Sequence, residues 1–527
     1  MAKYESTSLR NVAIIGHGGT GKTSLCEAFL FTAGKTDRPG RVDDGTSGMD
    51  YEPEEQKRRI SISAATNYFD WNKHKINILD TPGDSNFAFD TKSCLRIIDG
   101  AVIVIDAVGG VEFQTQKVWE YADAFKLPRI LYVNRMDRER ADFMKSVNSV
   151  KEKIGRKATP LFLPIGKEDG FKGIVDLLAM KACLFEDPKG ICKFAEVPEE
   201  MKSDAEQCRE TMVEDIAECD EALMDKYLES GELTPEELAI GLRKGIASGA
   251  LFPVVCGSAT KNIGVSTLMD MIVQYLPSPV DRGAVAGKKP GKEEVEQRRP
   301  EASEPFSAMV FKTIADPYAG RLTLFRVYSG TLSSEGSIYN ANRKLTERFS
   351  NAFFLEGKNQ KPAEILVPGD IAVLAKLKET ATGDTICNEK APILFDKLEI
   401  PPPIMSFAIE PKSRGDEDKI VSSIHRLTEE DPTLNFRREE QTKEMILSGM
   451  GQIHIEVAVE KMKRKFGVEV NLKIPKVPYK ETIKGKTNVQ GRYKKQSGGR
   501  GQFGDCWIDI APLPRGGGVE VVDKLVG

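Results

Sequence analysis

The chain opens without a long apolar run: Met1 to Arg10 is polar, and Asn11 to Ile15 is far shorter than a secretion-signal core or the roughly 20 residues of a membrane span. A cytoplasmic protein with no membrane partner is therefore expected. An excess of one charge is also missing. Lys plus Arg number 75 and Asp plus Glu 79, a net charge of -4, so any nucleic-acid surface must be a local patch. Cysteine pairs at C-x-x-C spacing are absent. The nine cysteines, an odd number, suit a reducing compartment where Cys serves as a small buried hydrophobe, and they read as structural. With 40% hydrophobic and 29% charged residues, the composition excludes long disorder, collagen-like repeats and a small disulfide scaffold. What remains is a globular chain of 527 residues, too long for one core and expected to form three to five domains at roughly 100 to 200 residues each.

In the first 280 residues short β-branched runs alternate with longer helical patterns: Asn11 to Ile15, Lys75 to Leu79, Ala101 to Ile105, Arg129 to Val133 and Pro253 to Cys256. That rhythm predicts an α/β domain with a buried parallel sheet flanked by helices. Between Arg156 and Ala250 acidic amphipathic stretches, Val197 to Tyr227 and Thr234 to Ile246, predict an inserted helical subdomain at about 157–250. Residues 281–304 turn to Gly, Pro, Lys and Glu without periodicity and read as an exposed linker. Alternating runs with turns at Asp316-Pro317 and Pro368 to Asp370 predict a small β-barrel over 305–399. Residues 400–476 read strand, helix, strand, strand, helix, strand, the ferredoxin-like order. The final stretch, 477–527, starts another α+β domain and stops in mid-pattern, as a truncated chain would.

Gly16-His17-Gly18-Gly19-Thr20-Gly21-Lys22-Thr23 fits G-x-x-x-x-G-K-[ST], after a strand and before the helical pattern that starts at Ser24. In that context backbone N–H groups of the loop cradle phosphates, Lys22 reaches the β and γ oxygens, and Thr23 can ligate Mg²⁺. A Gly-rich turn is the bland alternative, and the loop alone does not choose between ATP and GTP. Asp80-Thr81-Pro82-Gly83 follows the second apolar run, where Asp80 can hold a Mg²⁺-bound water. Asn134-Arg135-Met136-Asp137 and Gly257-Ser258-Ala259 follow the fourth and fifth runs, where an open α/β sheet places its ligand. A carboxylate at Asp137 accepts two hydrogen bonds from guanine and would be left unpaired by adenine. The aliphatic arm of Arg135 can cover one face of the base. Together these segments point to GTP.

The motifs and their order resemble the translational GTPases, most closely elongation factor G and elongation factor G-like proteins. Asp106 to Glu112, Val133 to Arg138, Tyr275 to Pro279, Gly320 to Thr323, Arg326 to Gly330, Thr382 to Thr385, Arg437 to Glu440, Leu447 to Gly451 and Gln496 to Gln502 look like family signatures. The resemblance implies GTP and GDP with Mg²⁺ as ligands, with Thr23, Ser61 and Asp80 (through water) as the metal set. It also implies catalysis involving Lys22, Gly83 and the residue at Asp84. The partners it implies are the ribosome, through ribosomal RNA and stalk proteins, engaged by a monomer. It implies elongation by translocation of tRNA and mRNA, or ribosome recycling, although a fragment without most of the fourth domain is not expected to drive translocation.

Three positions depart from the family pattern. Asp84 stands where relatives carry a water-positioning His, and none of the four histidines follows the motif. At about 4 Å and an effective dielectric near 20, its charge and that of a γ-phosphate repel by roughly 4 kcal/mol, worth around a thousandfold in rate. Either turnover is slow or absent, leaving a GTP-binding regulatory factor, or Asp84 is swung away and water is positioned by other groups. Ser61 replaces the usual switch I Thr and keeps its oxygen. Gly19 replaces a common Asp, which puts dependence on K⁺ in doubt. Lys484, Lys486, Arg492, Lys494, Lys495 and Arg500, near Tyr493 and Phe503, form a basic stretch read as an RNA contact. The Lys461 to Lys465 run at a helix end needs no ligand and carries no expected function.

Overall fold

The computed structural model describes residues 4–316, 320–413, 415–479, 481–496, 498–499 and 501–524. Pro317 of the expected turn, Ser497 and Arg500 of the glycine-rich segment, and Leu525 to Gly527 lie outside the described residues.

The first unit is built on β1 (Leu9–Gly16), α1 (Lys22–Thr32), α2 (Pro53–Arg58), β2 (Ala65–Trp71), β3 (His74–Asp80), α3 (Ala88–Arg96), β4 (Gly100–Asp106), α4 (Phe113–Ala124), β5 (Arg129–Asn134) and α5 (Phe143–Ile154). After β6 (Ala158–Pro160), its last strand is β11 (Phe252–Cys256), and the sheet runs β2-β3-β1-β4-β5-β11-β6. All neighbours are parallel except β2, an antiparallel edge strand on β3 that the sequence pattern did not disclose. Every residue of β4 is buried, as its unbroken apolar run requires of a strand covered on both faces.

Between β6 and β11 the chain forms a four-stranded antiparallel sheet, β7 (Phe162–Ile165), β8 (Gly173–Asp176), β9 (Lys181–Leu184) and β10 (Lys193–Ala195), and only then α6 (Lys202–Ala217), α7 (Glu221–Ser230) and α8 (Pro235–Ser248). The expected helical insertion is thus mixed. Its first helical stretch is broken because Asp220 accepts a hydrogen bond from Leu223 N and starts a new helix. The β9–β10 ladder also brings Cys192 to Cys183, and the two form a disulfide with Cα atoms 5.3 Å apart. Cys506 is exposed. The expectation of nine buried structural thiols is corrected at these three positions and at Cys208 and Cys219, which are only half-buried.

The expected bare linker is corrected too. After α9 (Val265–Tyr275) comes the single turn α10 (Pro279–Arg282), then an antiparallel hairpin of β12 (Val285–Lys288) and β13 (Val295–Arg298). Lys288 and Leu394 exchange both backbone hydrogen bonds, 2.8 Å each, and Arg298 is buried. These long-range pairings leave no local periodicity to read. The next unit is a curled eight-stranded antiparallel sheet that includes β14 (Ser307–Asp316) and β15 (Gly320–Ser329). Strands Met405–Pro411, Asn435–Arg438, Met445–Gly449 and Val470–Lys473, with α11 (Glu417–Glu430) and α12 (Gln452–Phe466), form the ferredoxin-like unit; the second strand lies at one edge and the fourth at the other. Finally, Thr487–Lys495 pairs with Gln502–Ile510 in an exposed ribbon.

Candidate nucleotide site

The C-terminal ends of β1, β3, β4, β5 and β11 deliver Gly16, Asp80, Asp106, Asn134 and Cys256 to one edge of the sheet. Residues Gly16 to Gly21 loop from β1 into α1, and Thr20 Oγ1 and Lys22 Nζ both donate to the His17 carbonyl, at 3.0 and 2.8 Å. Burial pulls the Lys22 ammonium down to about 8 against the raising effect of Asp80 and Asp50. Ser24 sits half-buried on the first turn of α1. Gly83 lies directly on this loop: a Cβ there would run into Lys22 Nζ and stand 2.7 Å from Gly18 N, so only glycine fits the close approach.

Thr23 Oγ1 and Ser61 Oγ are 3.0 Å apart, which brings the two hydroxyls of the anticipated metal set together from α1 and from the segment after α2. Both oxygens of Asp80 are buried without a hydrogen-bond partner. Burial and then the charge of Asp50 push Asp80 up to about 8, opposed by Thr23 and Lys22. Unsatisfied carboxylate oxygens beside two hydroxyls are a hard-oxygen donor set of the kind Mg²⁺ takes, directly and through water. The residues fit the ion.

Asn134 links two loops, donating from Nδ2 to Thr20 O at 2.8 Å and accepting Ala259 N at Oδ1 at 3.0 Å. Ser258 is fully buried, and its Oγ accepts from Lys261 N. The Oδ1 of Asp137 is buried with no partner. The Arg135 guanidinium pairs with Asp106 at 2.9 Å, a tether absent from the sequence reading. Asp84, by contrast, turns its carboxylate into its own loop: Oδ1 accepts Asn86 N at 2.8 Å and Asn86 Nδ2 at 2.7 Å, capping the short turn Ser85–Phe87.

Sequence reasoning missed the contacts that join this site to the rest of the chain. Lys312 on β14 donates to Ser63 Oγ, Ala64 O and Asp90 Oδ2 at 2.5, 2.9 and 2.7 Å. The Lys461 to Lys465 run, expected to be idle, is engaged instead. Lys461 and Lys465 meet Glu430 at 3.3 and 2.9 Å, and Arg464 meets Glu52 and Glu54 beside α2. Lys57 and Arg58 pair in turn with Glu460 on α12. Charge complementarity between α2 and α12 was the available signal, but the partners lie some 400 residues apart.

Strand ends converging on a phosphate loop, a lysine, two hydroxyls and an orphaned carboxylate define a P-loop nucleotide-binding protein carrying further β and α+β units. Comparison with known families matches the elongation factor Tu GTP binding domain at residues 7–278. Elongation factor G domain 2 matches at 305–389, domain III at 400–474 and domain IV at 475–527. A crystal structure of a Thermus thermophilus protein is similar at 32% identity and TM-score 0.83, covering 95% of this chain and 73% of that one. The chain belongs to the elongation factor G-like translational GTPases.

Proposed function

We infer that this protein binds GTP and GDP with Mg²⁺, hydrolyses GTP, and acts as a monomer on the ribosome in translocation of tRNA and mRNA or in recycling. The observation that carries the nucleotide choice is the buried, partnerless Oδ1 of Asp137. An acceptor left unpaired in a buried site is stabilised by the N–H donors of guanine and penalises adenine. Loop N–H groups and Lys22 hold the phosphates, Asn134 fixes the base loop against the P-loop, and Thr23, Ser61 and Asp80 hold the metal. Bound Mg²⁺ would supply charge neutralisation at the β and γ oxygens. Labelled GTP should displace labelled ATP from the protein, and equal affinities would reject the assignment.

The second reading, slow or absent turnover, requires the Asp84 charge to face the γ-phosphate; the two hydrogen bonds that commit Asp84 Oδ1 to Asn86 favour instead a carboxylate swung away, with other groups positioning the water. Phosphate release measured with and without ribosomes decides between them: Asp84→His should speed ribosome-stimulated hydrolysis if the position limits the rate, and leave it unchanged if other groups position the water. For ribosomal RNA, support comes from the exposed ribbon, where Arg492, Tyr493, Lys494 and Lys495 lie on one strand and the Arg492 guanidinium sits 5.7 Å from the Phe503 ring. The register also sets Asp505 opposite Arg492, an acid the local sequence did not place there.

A further inference from the structure

Glu27 lies on α1, the helix whose first turn carries Lys22 and Thr23, and it is only 2% exposed. Its carboxylate accepts four hydrogen bonds, every one from residues 40–49. Oε1 takes Ser47 Oγ at 2.6 Å, Gly48 N at 2.7 Å and Met49 N at 3.1 Å, and Oε2 takes Gly40 N at 3.1 Å. The approach is close enough that a Cβ at Gly40 would lie 2.5 Å from Glu27 Oε2 and 2.9 Å from the Ser47 Cα. Ser47 passes the order on, since its Oγ also accepts Asp50 N at 3.1 Å. Asp50 lies against Ser61 and Thr23, the two hydroxyls of the metal set.

Glu55 offers a contrast. Its Oε1 accepts Ile62 N and Ser63 N at 3.0 and 3.1 Å, but Glu55 belongs to the switch segment itself and braces only that segment. Glu27 reaches across from the phosphate-binding helix. Segments of this kind are ordered by a γ-phosphate and its metal and released in the diphosphate state. A group that ties residues 40–49 to α1 therefore bears on triphosphate binding more than on diphosphate binding, because a diphosphate can be held by the P-loop alone. We propose that Glu27 is a positioning residue that pins switch I to the P-loop helix and thereby sets the preference for GTP over GDP. The proposal rests on the GTPase assignment above. It would be a plain buried acid if its loss lowered both affinities equally.

The test compares fluorescent GDP with a non-hydrolysable GTP analogue, both with Mg²⁺, on the wild-type chain and on Glu27→Gln. An amide keeps one acceptor oxygen and turns its other end into a donor that faces Gly40 N. The affinity for the GTP analogue should fall at least about tenfold more than the affinity for GDP, the equivalent of one 1.4 kcal/mol step. Trypsin cleavage after Arg41, which is exposed, should become insensitive to the analogue in the variant while remaining suppressed by it in the wild type. Ser47→Ala, which removes one of the four bonds, should shift the affinity ratio in the same direction by a few-fold, and it decides the matter if Glu27→Gln does not fold. An unchanged ratio in the variant that folds overturns the proposal and leaves the GTPase assignment standing. A wild-type chain that binds neither guanine nucleotide takes both down.

Discussion

Glu52 and Glu55 are three residues apart on either side of the start of α2, yet burial has opposite outcomes for them. Burial, and then the charge of Asp50, pushes Glu55 up to about 8, and Asp80 is raised for the same two reasons. Burial also acts to raise Glu52, but Lys461, Lys465 and Arg464 override it and hold that carboxyl down at about 2. Glu430 is lowered in the same way by Lys461 and Lys465. The pocket therefore concentrates acids without enough cations of its own, while the seam between α2 and α12 arrives with its charges paired. A cleft whose acids outnumber its own basic side chains is tuned for a cationic ligand; a paired seam is tuned for domain contact.

The contrast breaks most visibly at Lys461. Replacing it by methionine leaves Glu430 buried with one cation fewer, and loss of about 3 to 5 kcal/mol is expected in a urea unfolding titration. In the pocket the sign should reverse. Asp80→Asn removes a buried acid that beside Asp50 must either carry an unpaired charge or hold a proton above its ordinary range, so the nucleotide-free protein should become more resistant to urea. Its Mg²⁺-dependent GTP affinity should drop by about tenfold to a hundredfold, as loss of one charge-assisted contact predicts. Calorimetry with and without Mg²⁺ reads both effects. Glu52→Gln is the gentlest probe, expected to cost about 1 to 2 kcal/mol, because Arg464 keeps its second partner, Glu54. Since the folded pKa of Glu52 lies below its ordinary 4.5, its stabilisation is complete above that value and fades as pH falls toward 2. The stability difference between wild type and Glu52→Gln should be flat from pH 8 to 5 and shrink below about 4.5. A difference that instead grows in acid would contradict the pairing.

Much of the first sheet was legible because its buried parallel strands are continuous β-branched runs, as β4 and β5 illustrate. The ferredoxin-like unit was legible for a different reason, the fixed alternation of element types, and α12 begins and ends at Gln452 and Phe466 as its periodicity indicates. The strands β7 to β10 escaped because they are three or four residues long, too short for alternation to rise above noise. At the nucleotide site, Lys22, Thr23, Asp80 and Asn134 announce themselves by motif, since their chemistry is local to a strand end. Glu27, Asp50 and Lys312 do not, because their roles exist only once distant segments have been folded against them.

The hairpin of β12 and β13 has a mechanical corollary. Its backbone bonds from Lys288 to Leu394, and the Arg298 contact to Ala391 O at 3.0 Å, stitch the way into the curled sheet to the way out of it. Two covalent tethers are thereby fused into one stalk. Such a stalk resists splaying, so the segment that enters the curled sheet and the segment that leaves it must move together, while the buried pairs Lys75–Asp370 and Arg326–Asp99 hold the sheet itself against the first unit.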